Sequence, residues 1–76
     1  MDVREKLQEV FRDVFDDESI EVFDEMTAED IEDWDSLMHI TLIKEIEVKF
    51  DIVFTTEEIM KTKNIGEFIK VIESKL

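Results

Sequence analysis

The sequence contains no cysteine and no proline, and its single glycine is Gly66. Without cysteine, neither a disulfide nor a thiolate zinc site can stabilise the fold. The lack of proline and the scarcity of glycine remove the two residues that most disfavour helix interiors. Because 43% of the 76 residues are hydrophobic, there is enough apolar surface for one core. We therefore expect one all-α domain over residues 1–76, stabilised by helix packing.

Long apolar runs are also absent. No stretch approaches the roughly 20 apolar residues of a membrane-spanning helix, and the N-terminus shows no basic segment followed by an apolar one, as a secretory leader would. The sequence thus predicts a soluble, cytoplasmic protein without a membrane span.

Positive charge is scarce, and it is unevenly distributed. The formal net charge is −13, and residues 13–43 contain neither Lys nor Arg. Residues 1–35 carry 15 acidic and 3 basic side chains, whereas residues 36–76 carry 7 and 6. Nucleic-acid binding needs a basic face, so we expect no such partner. Partners with basic surfaces fit this charge, and their attraction should weaken with salt. A role of the acids in solubility alone is left open.

Helical periodicity and capping residues predict four helices. The first begins at Asp2, the second runs from about Ser36 to about Phe50, a short third follows a capping box at Thr55, and the fourth follows Asn64. The expected core positions of the second helix are Leu42, Ile43, Ile46 and Phe50. The architecture this predicts is a small four-helix bundle with three longer helices and one short helix.

Residues 16–34 form a long connection, which in a compact domain needs anchors. Five apolar residues could hold it against the core, and they are Ile20, Val22, Phe23, Met26 and Ile31. Residues 20–22 alternate like a strand, but no other segment could pair with them. We therefore expect an extended loop.

The end of this connection carries the most informative stretch, residues 32–37. Asp35 is a good N-cap, and Trp34 precedes it, where a bulky side chain can pack over the first helical turn. Ser36 then places its hydroxyl at the positive end of the helix dipole. That position favours a bound or attached phosphate.

The triplet Asp35-Ser36-Leu37, at the start of the second helix of a small acidic chain, resembles the phosphopantetheine attachment site of the acyl carrier protein family. The helix ending at residues 50–52 and the two shorter helices after it extend the resemblance over almost the whole chain. It implies that a separate phosphopantetheinyl transferase attaches 4′-phosphopantetheine from coenzyme A to Ser36, between its flanking contacts Asp35 and Leu37. The thiol of the arm would then hold acyl groups as thioesters, and the protein itself would be non-catalytic. Whether acyl chains fold back into the core is open.

The same resemblance implies a docking surface on the second helix. Its expected residues are Leu37, Met38, Ile40, Glu45 and Glu47. Acyl-loading and acyl-processing enzymes with basic surfaces would bind there to a monomeric carrier. The alternative for the three apolar residues is burial in the core.

Some residues depart from the pattern usual in fatty-acid synthesis. Met38 and His39 follow the triplet where an acidic residue is common, and Lys44 offsets Glu45. Trp34 before the triplet and His39 after it resemble carriers of specialised lipid, polyketide or peptide pathways. A general fatty-acid role remains the wider alternative.

Catalysis and metal binding fit the sequence less well. Asp35, Ser36 and His39 lie within one turn, too close to form a catalytic triad, so we expect His39 to be an exposed helix residue. A contact between His39 and an attached phosphodiester is a separate hypothesis. The acidic connection lacks the glycine of a calcium-binding EF-hand loop, so no metal site is expected beyond weak divalent binding. The alternative function is an unmodified acidic adaptor that docks on basic surfaces and does not need the Ser36 hydroxyl.

Overall fold

A computed structural model describes residues 2–76 and contains four helices. They are α1 (Val3–Val14), α2 (Ser36–Phe50), α3 (Thr56–Lys61) and α4 (Ile65–Lys75). The part of the chain that the structure describes contains no β-strand, and its one isolated bridge joins Thr27 to Asn64. The predicted all-α bundle with three longer helices and one short helix is confirmed.

Each helix begins after a side chain that accepts a hydrogen bond from the backbone N–H three residues further on. These caps satisfy one of the free donors at each helix start, and they are Asp2, Asp35, Thr55 and Asn64. At Thr55 the bond is reciprocated by the Glu58 carboxylate, so the predicted capping box is present. Local sequence therefore sets where the helices start.

The core lies where α1 packs against α2 and α4. The four residues predicted for the core side of α2 are all buried, as are three residues of α4, namely Ile65, Phe68 and Ile72. Phe11 of α1 lies at the centre, edge-on to both Phe68 and Trp34. No helix within residues 2–76 has both the length and the apolar character needed to cross a membrane.

The connection between α1 and α2 is held to the bundle at several points. Ile20, Val22 and Met26 are buried as expected, whereas Phe23 is 45% exposed, so its predicted anchoring role is wrong. A side chain of α1 binds the loop backbone directly. Arg12 donates to the Ile20 carbonyl at 2.7 Å. Residues 20–23 are free of regular structure, as expected, whereas residues 24–33 form successive turns with local backbone hydrogen bonds.

The same connection also pairs with the start of α4. The Ile65 and Gly66 N–H groups donate to the carbonyls of Met26 and Asp24, at 3.1 and 2.9 Å. A methyl group at Gly66 would lie 3.3 Å from the Asp24 carbonyl oxygen, so glycine suits this close approach. These contacts hold residues 24–26 against the start of α4.

Candidate functional site

Ser36 is the first residue of α2, and its side chain is exposed. The preceding Asp35 is extended, and its carboxylate accepts from the Met38 N–H at 2.9 Å. Asp35 therefore caps the helix, as predicted from the sequence, and the capping bond does not use the Ser36 hydroxyl. A reagent approaching from solvent can reach this hydroxyl.

The start of α2 is suited to negative charge. Its first turn contains no acidic residue, and within residues 2–76 the Ser36 and Leu37 N–H groups donate to no protein acceptor. Unpaired N–H groups and the helix dipole together give such an end a partial positive charge. A phosphate attached through Ser36 would be stabilised there.

An open cleft of about 920 Å³ lies beside Ser36, between residues 27–29, the start of α2 and the end of α3. This volume is in the range of pockets that hold small molecules. The cleft is lined by Thr27, Ala28, Glu29, Trp34, Asp35, Ser36, His39, Ile40, Ile59, Met60, Thr62 and Lys63. The chain thus places an exposed hydroxyl at the edge of a partly apolar recess.

Trp34 is buried at the inner side of this cleft, with 6% of its surface exposed. Its ring packs edge-on against Phe11, at 5.2 Å between ring centroids, and also contacts Phe68. The Trp34 indole N–H donates to Nδ1 of His39 at 3.2 Å. Trp34 therefore packs over the first turn of α2, as predicted, and also belongs to the core.

His39 is not the exposed helix residue that the sequence predicted. It is half-buried, because its ring lies between Trp34 and the end of α3. Since indole N–H can only donate, Nδ1 of His39 accepts, and the neutral ring carries its hydrogen on Nε2. Nε2 lies 3.3 Å from the Ile59 carbonyl oxygen, to which its N–H donates. A contact of His39 with a phosphodiester remains an untested prediction.

These contacts also bear on the three residues that resembled a catalytic set. His39 contacts Trp34 and Ile59, while the Asp35 carboxylate accepts from the Met38 N–H. The acid therefore does not orient the imidazole, as a triad would require. Among residues 2–76, no group of three or more His, Cys, Asp or Glu side chains is arranged to hold a metal ion.

The apolar residues predicted for docking lie at the rim of the cleft or next to it. Leu37 is 75% exposed and Ile40 is 45% exposed, while Met38 is half-buried. Met60 of α3, also 71% exposed, contributes to the same rim. Met60 was not among the docking residues predicted from the sequence, although its position beside the inward-facing Ile59 on a short helix was a usable signal. Docking at this rim stays a prediction.

The two acidic docking candidates differ in their surroundings. Glu45 is exposed, whereas Glu47 is half-buried and accepts the Phe54 N–H at 2.7 Å. Glu47 therefore holds the loop between α2 and α3, a structural contact that the sequence did not suggest. Its carboxylate is less available for docking than that of Glu45, and the predicted docking role of both residues is untested.

Thr62 and Lys63 are two further cleft residues that sequence reasoning missed. Thr62 is buried, and its hydroxyl donates to the Ile59 carbonyl at 2.8 Å. The signal was available, since a threonine just after a short helix can satisfy one of the carbonyls left free at its end.

Comparison with known proteins agrees with this geometry. A family model described as "Phosphopantetheine attachment site" matches residues 3–72. Among solved structures, the chain is similar to the solution NMR structure of a holo acyl carrier protein from Geobacter metallireducens. The two chains are 41% identical with a TM-score of 0.91, and the match covers 99% of this chain and 86% of the other. A search of curated proteins found no match.

Proposed function

The chain belongs to the acyl carrier protein family, whose members carry covalently attached 4′-phosphopantetheine, and on that premise we propose that Ser36 is the attachment residue. The observation that carries this proposal is the exposed hydroxyl at the first position of α2, with the helix cap provided by the neighbouring Asp35. The hydroxyl can therefore be modified without removing the cap of the helix.

The residues around Ser36 fit a phosphopantetheine arm. The first turn of α2 offers free N–H donors and no acidic side chain to a phosphodiester. The adjoining cleft supplies apolar side chains together with Thr27 and Lys63 for the rest of the arm. Leu37, the next residue, presents its side chain to solvent, where a modifying enzyme can contact it.

Attachment requires a single displacement at phosphorus. The Ser36 oxygen forms a bond to the phosphorus of the pantetheine arm of coenzyme A, and the pyrophosphate bond breaks. Adenosine 3′,5′-bisphosphate leaves, and the serine proton passes to a base of the separate transferase. Once bound, the arm supplies a terminal thiol that holds an acyl group as a thioester. The chain itself acts as a non-catalytic carrier that raises the local concentration of its cargo for a docked enzyme.

The partners in this proposal are the phosphopantetheinyl transferase and acyl-loading and acyl-processing enzymes with basic surfaces. The net charge of −13 favours encounters with such surfaces. The exposed Leu37, Ile40 and Met60 supply an apolar centre for docking, and Glu45 is an exposed acidic residue further along α2. In this proposal residues 1–76 form one monomeric carrier domain. Its cargo belongs to specialised lipid, polyketide or peptide synthesis or, more widely, to fatty-acid synthesis.

The intact mass after incubation with coenzyme A, magnesium and a broad-specificity phosphopantetheinyl transferase tests the site. We expect a gain of one phosphopantetheine in the unchanged protein and in the Ser19→Ala and Ser74→Ala variants, whose serines are also exposed. Ser36→Ala should show no gain. A gain in Ser36→Ala would place the attachment elsewhere. No gain with several transferases would favour the unmodified adaptor.

A further inference from the structure

The side of α2 that faces away from the core carries a regular row of exposed side chains. Its members recur at positions i, i+4, i+7 and i+11, the spacing that places residues on one face of a helix. We call this row the outer stripe, and its residues are Leu37, Thr41, Lys44 and Val48. Because the buried residues of α2 occupy the opposite side of the helix, the outer stripe faces solvent.

The two ends of the outer stripe are apolar and largely exposed. Leu37 is 75% exposed and Val48 is 79% exposed, and at 1.5 Å per residue they lie about 16 Å apart along the helix axis. Between them, the Thr41 hydroxyl donates to the Leu37 carbonyl at 3.3 Å, so it needs no partner outside the helix. The stem of Lys44 is also apolar. The outer stripe is therefore a mostly apolar strip with one charged group.

That charged group is the ammonium of Lys44, which forms no ion pair within residues 2–76. Residues three or four positions away on a helix are close enough to pair with it. Three of these four are uncharged, and the fourth, Glu47, accepts the Phe54 N–H at 2.7 Å. Glu45 is adjacent in sequence, but consecutive helix residues do not face each other. The Lys44 ammonium is therefore available to a group of another molecule.

The charge of α2 differs from that of the preceding chain. Residues 1–35 carry 15 acidic and 3 basic side chains, whereas α2 carries two of each. Long-range attraction to a basic partner therefore comes mainly from residues outside α2. At close range, a Lys or Arg of that partner placed opposite Lys44 would be repelled, and such a juxtaposition of like charges at an interface is unfavourable. A carboxylate at the same point would be attracted.

We propose that the enzymes served by this carrier have a carboxylate that pairs with Lys44, located between apolar contacts for Leu37 and Val48. The inference rests on the proposed carrier function and specifies the chemistry of its partners. Lys44 thereby acts against enzymes whose docking surface is basic at the centre of α2. Specific recognition commonly combines an attractive contact to the right partner with a repulsive contact to the wrong one, and Lys44 provides both.

The test uses a phosphopantetheinyl transferase with a basic docking surface and a variant of that transferase. In the variant, the docking Lys or Arg nearest to position 44 of the carrier is replaced by Glu. Calorimetry measures the Kd for carriers that all contain Ser36→Ala, so that docking is observed without loading at Ser36. With the unchanged transferase, adding Lys44→Glu should lower the Kd by about tenfold. With the Glu variant of the transferase, Lys44→Glu should raise the Kd instead.

Lys70→Glu is the matched control, because it changes the net charge by the same amount at an exposed position on α4. Within residues 2–76, Lys70 also forms no ion pair. We expect Lys70→Glu to change either Kd by less than about twofold, since charges far from the contact are screened by salt. The proposal is overturned if Lys44→Glu and Lys70→Glu change the Kd alike. It is also overturned if the Glu variant of the transferase still binds Lys44→Glu more tightly.

The apolar part of the contact is tested with Val48→Ser. This substitution should raise the Kd by about fivefold, the effect of losing roughly one buried methylene group. Val53→Ser is the control, because Val53 is 75% exposed in the loop after α2, outside the outer stripe. Circular dichroism checks that all variants keep their helices. A Kd that is the same for Val48→Ser and Val53→Ser would contradict the assignment of Val48 to the contact.

Intact mass of the carrier with Ser36 present tests attachment separately. If the transferase binds in the expected pattern but no phosphopantetheine is added at Ser36, the attachment proposal fails and the inference about Lys44 is supported. If attachment at Ser36 occurs but the Kd does not follow the charge at position 44, the inference about Lys44 fails alone.

Discussion

The starts of α2 and α4 are built alike but lie in opposite surroundings. Asp35 and Asn64 each accept from the backbone N–H three residues on, at 2.9 Å in both cases. At the first helical position α2 has an exposed Ser36, whereas α4 has Ile65 with no exposed surface. At the second position α2 has an exposed Leu37, and α4 has Gly66 in close contact with the loop.

The free donors of the two helices also differ. In α4 the first two N–H groups donate to loop carbonyls. In α2 the same groups have no protein acceptor within residues 2–76. One helix start is therefore used to hold the fold together, and the other remains available for chemistry. The capping residues alone therefore do not indicate which helix start is functional. The surrounding chain determines which start is enclosed and which is open.

Substitution of the first helical residue should give the largest difference in stability between the two helix starts. Ile65→Ala should lower the free energy of unfolding by about 3 kcal/mol, because it removes a fully buried side chain and leaves a cavity. Ser36→Ala should change it by less than about 0.5 kcal/mol, because the site is exposed and the cap is Asp35. Urea unfolding measures both. Equal losses in the free energy of unfolding would contradict the inference that the start of α4 holds the fold together while the start of α2 does not.

Substitution of the second helical residue should give the next largest difference in stability between α4 and α2. Gly66→Val should destabilise by about 2 kcal/mol, since its side chain would press on the Asp24 carbonyl, which the Gly66 N–H also binds. Leu37→Val should cost less than about 0.5 kcal/mol at its exposed site. Thermal unfolding of the two variants provides the comparison. A stable Gly66→Val protein would show that the loop is free to move away.

Removal of the capping side chains should give a smaller difference in stability between the two helices. Asp35→Ala should lower stability by about 1 kcal/mol, and Asn64→Ala by about 1.5 kcal/mol, because each removes the acceptor of one N–H. The larger value is expected for Asn64, which is half-buried and forms the bridge to Thr27. Urea unfolding of both variants measures the difference. A greater loss for Asp35→Ala would show that the cap of α2 contributes more to stability than the cap of α4, against this prediction.

The start of α3 adds a third case, whose effect is small and depends on pH. A hydrogen bond from Lys75, together with the Thr55 N–H, lowers the pKa of the Glu58 carboxyl. A lowered pKa in the folded state stabilises the protein above the ordinary glutamate pKa, and this contribution disappears as pH falls through the folded-state value.

Unfolding of Glu58→Gln measured at a series of pH values tests this contribution. We expect the unchanged protein to be the more stable at neutral pH, and the difference from the variant to shrink in acid. Lys61→Gln is the matched control, because the Lys61–Glu57 pair is exposed and lies within α3 itself. A difference for Glu58→Gln that does not vary with pH would show that charge is not its cause.

Much of the fold was predictable because its signals are local. Capping residues and helical periodicity predicted the four helices, and the buried residues of α2 were identified from their spacing alone. The family resemblance of residues 35–37 pointed to Ser36, and the comparisons confirm that family. The site residues themselves await experiment.

The sequence was least informative where the surroundings of a side chain depend on a distant partner. His39 was predicted to be exposed because its helix position is compatible with solvent, but Trp34 and Ile59 enclose it from outside α2. Glu47 was assigned only to docking because its acceptor role depends on the Phe54 N–H in the following loop. Phe23 was predicted to anchor a loop whose path a pattern of apolar residues does not define.

By itself, the sequence determined the helices, their caps, the strong negative charge and the serine that opens α2, since each depends on residues within a few positions of one another. Tertiary structure alone decided that the start of α4 is enclosed, that the start of α2 is open, and that Trp34, His39 and Thr62 come together at the cleft beside Ser36. The physical reason is that burial and hydrogen-bond pairing between distant segments depend on how the helices and the long connection pack together.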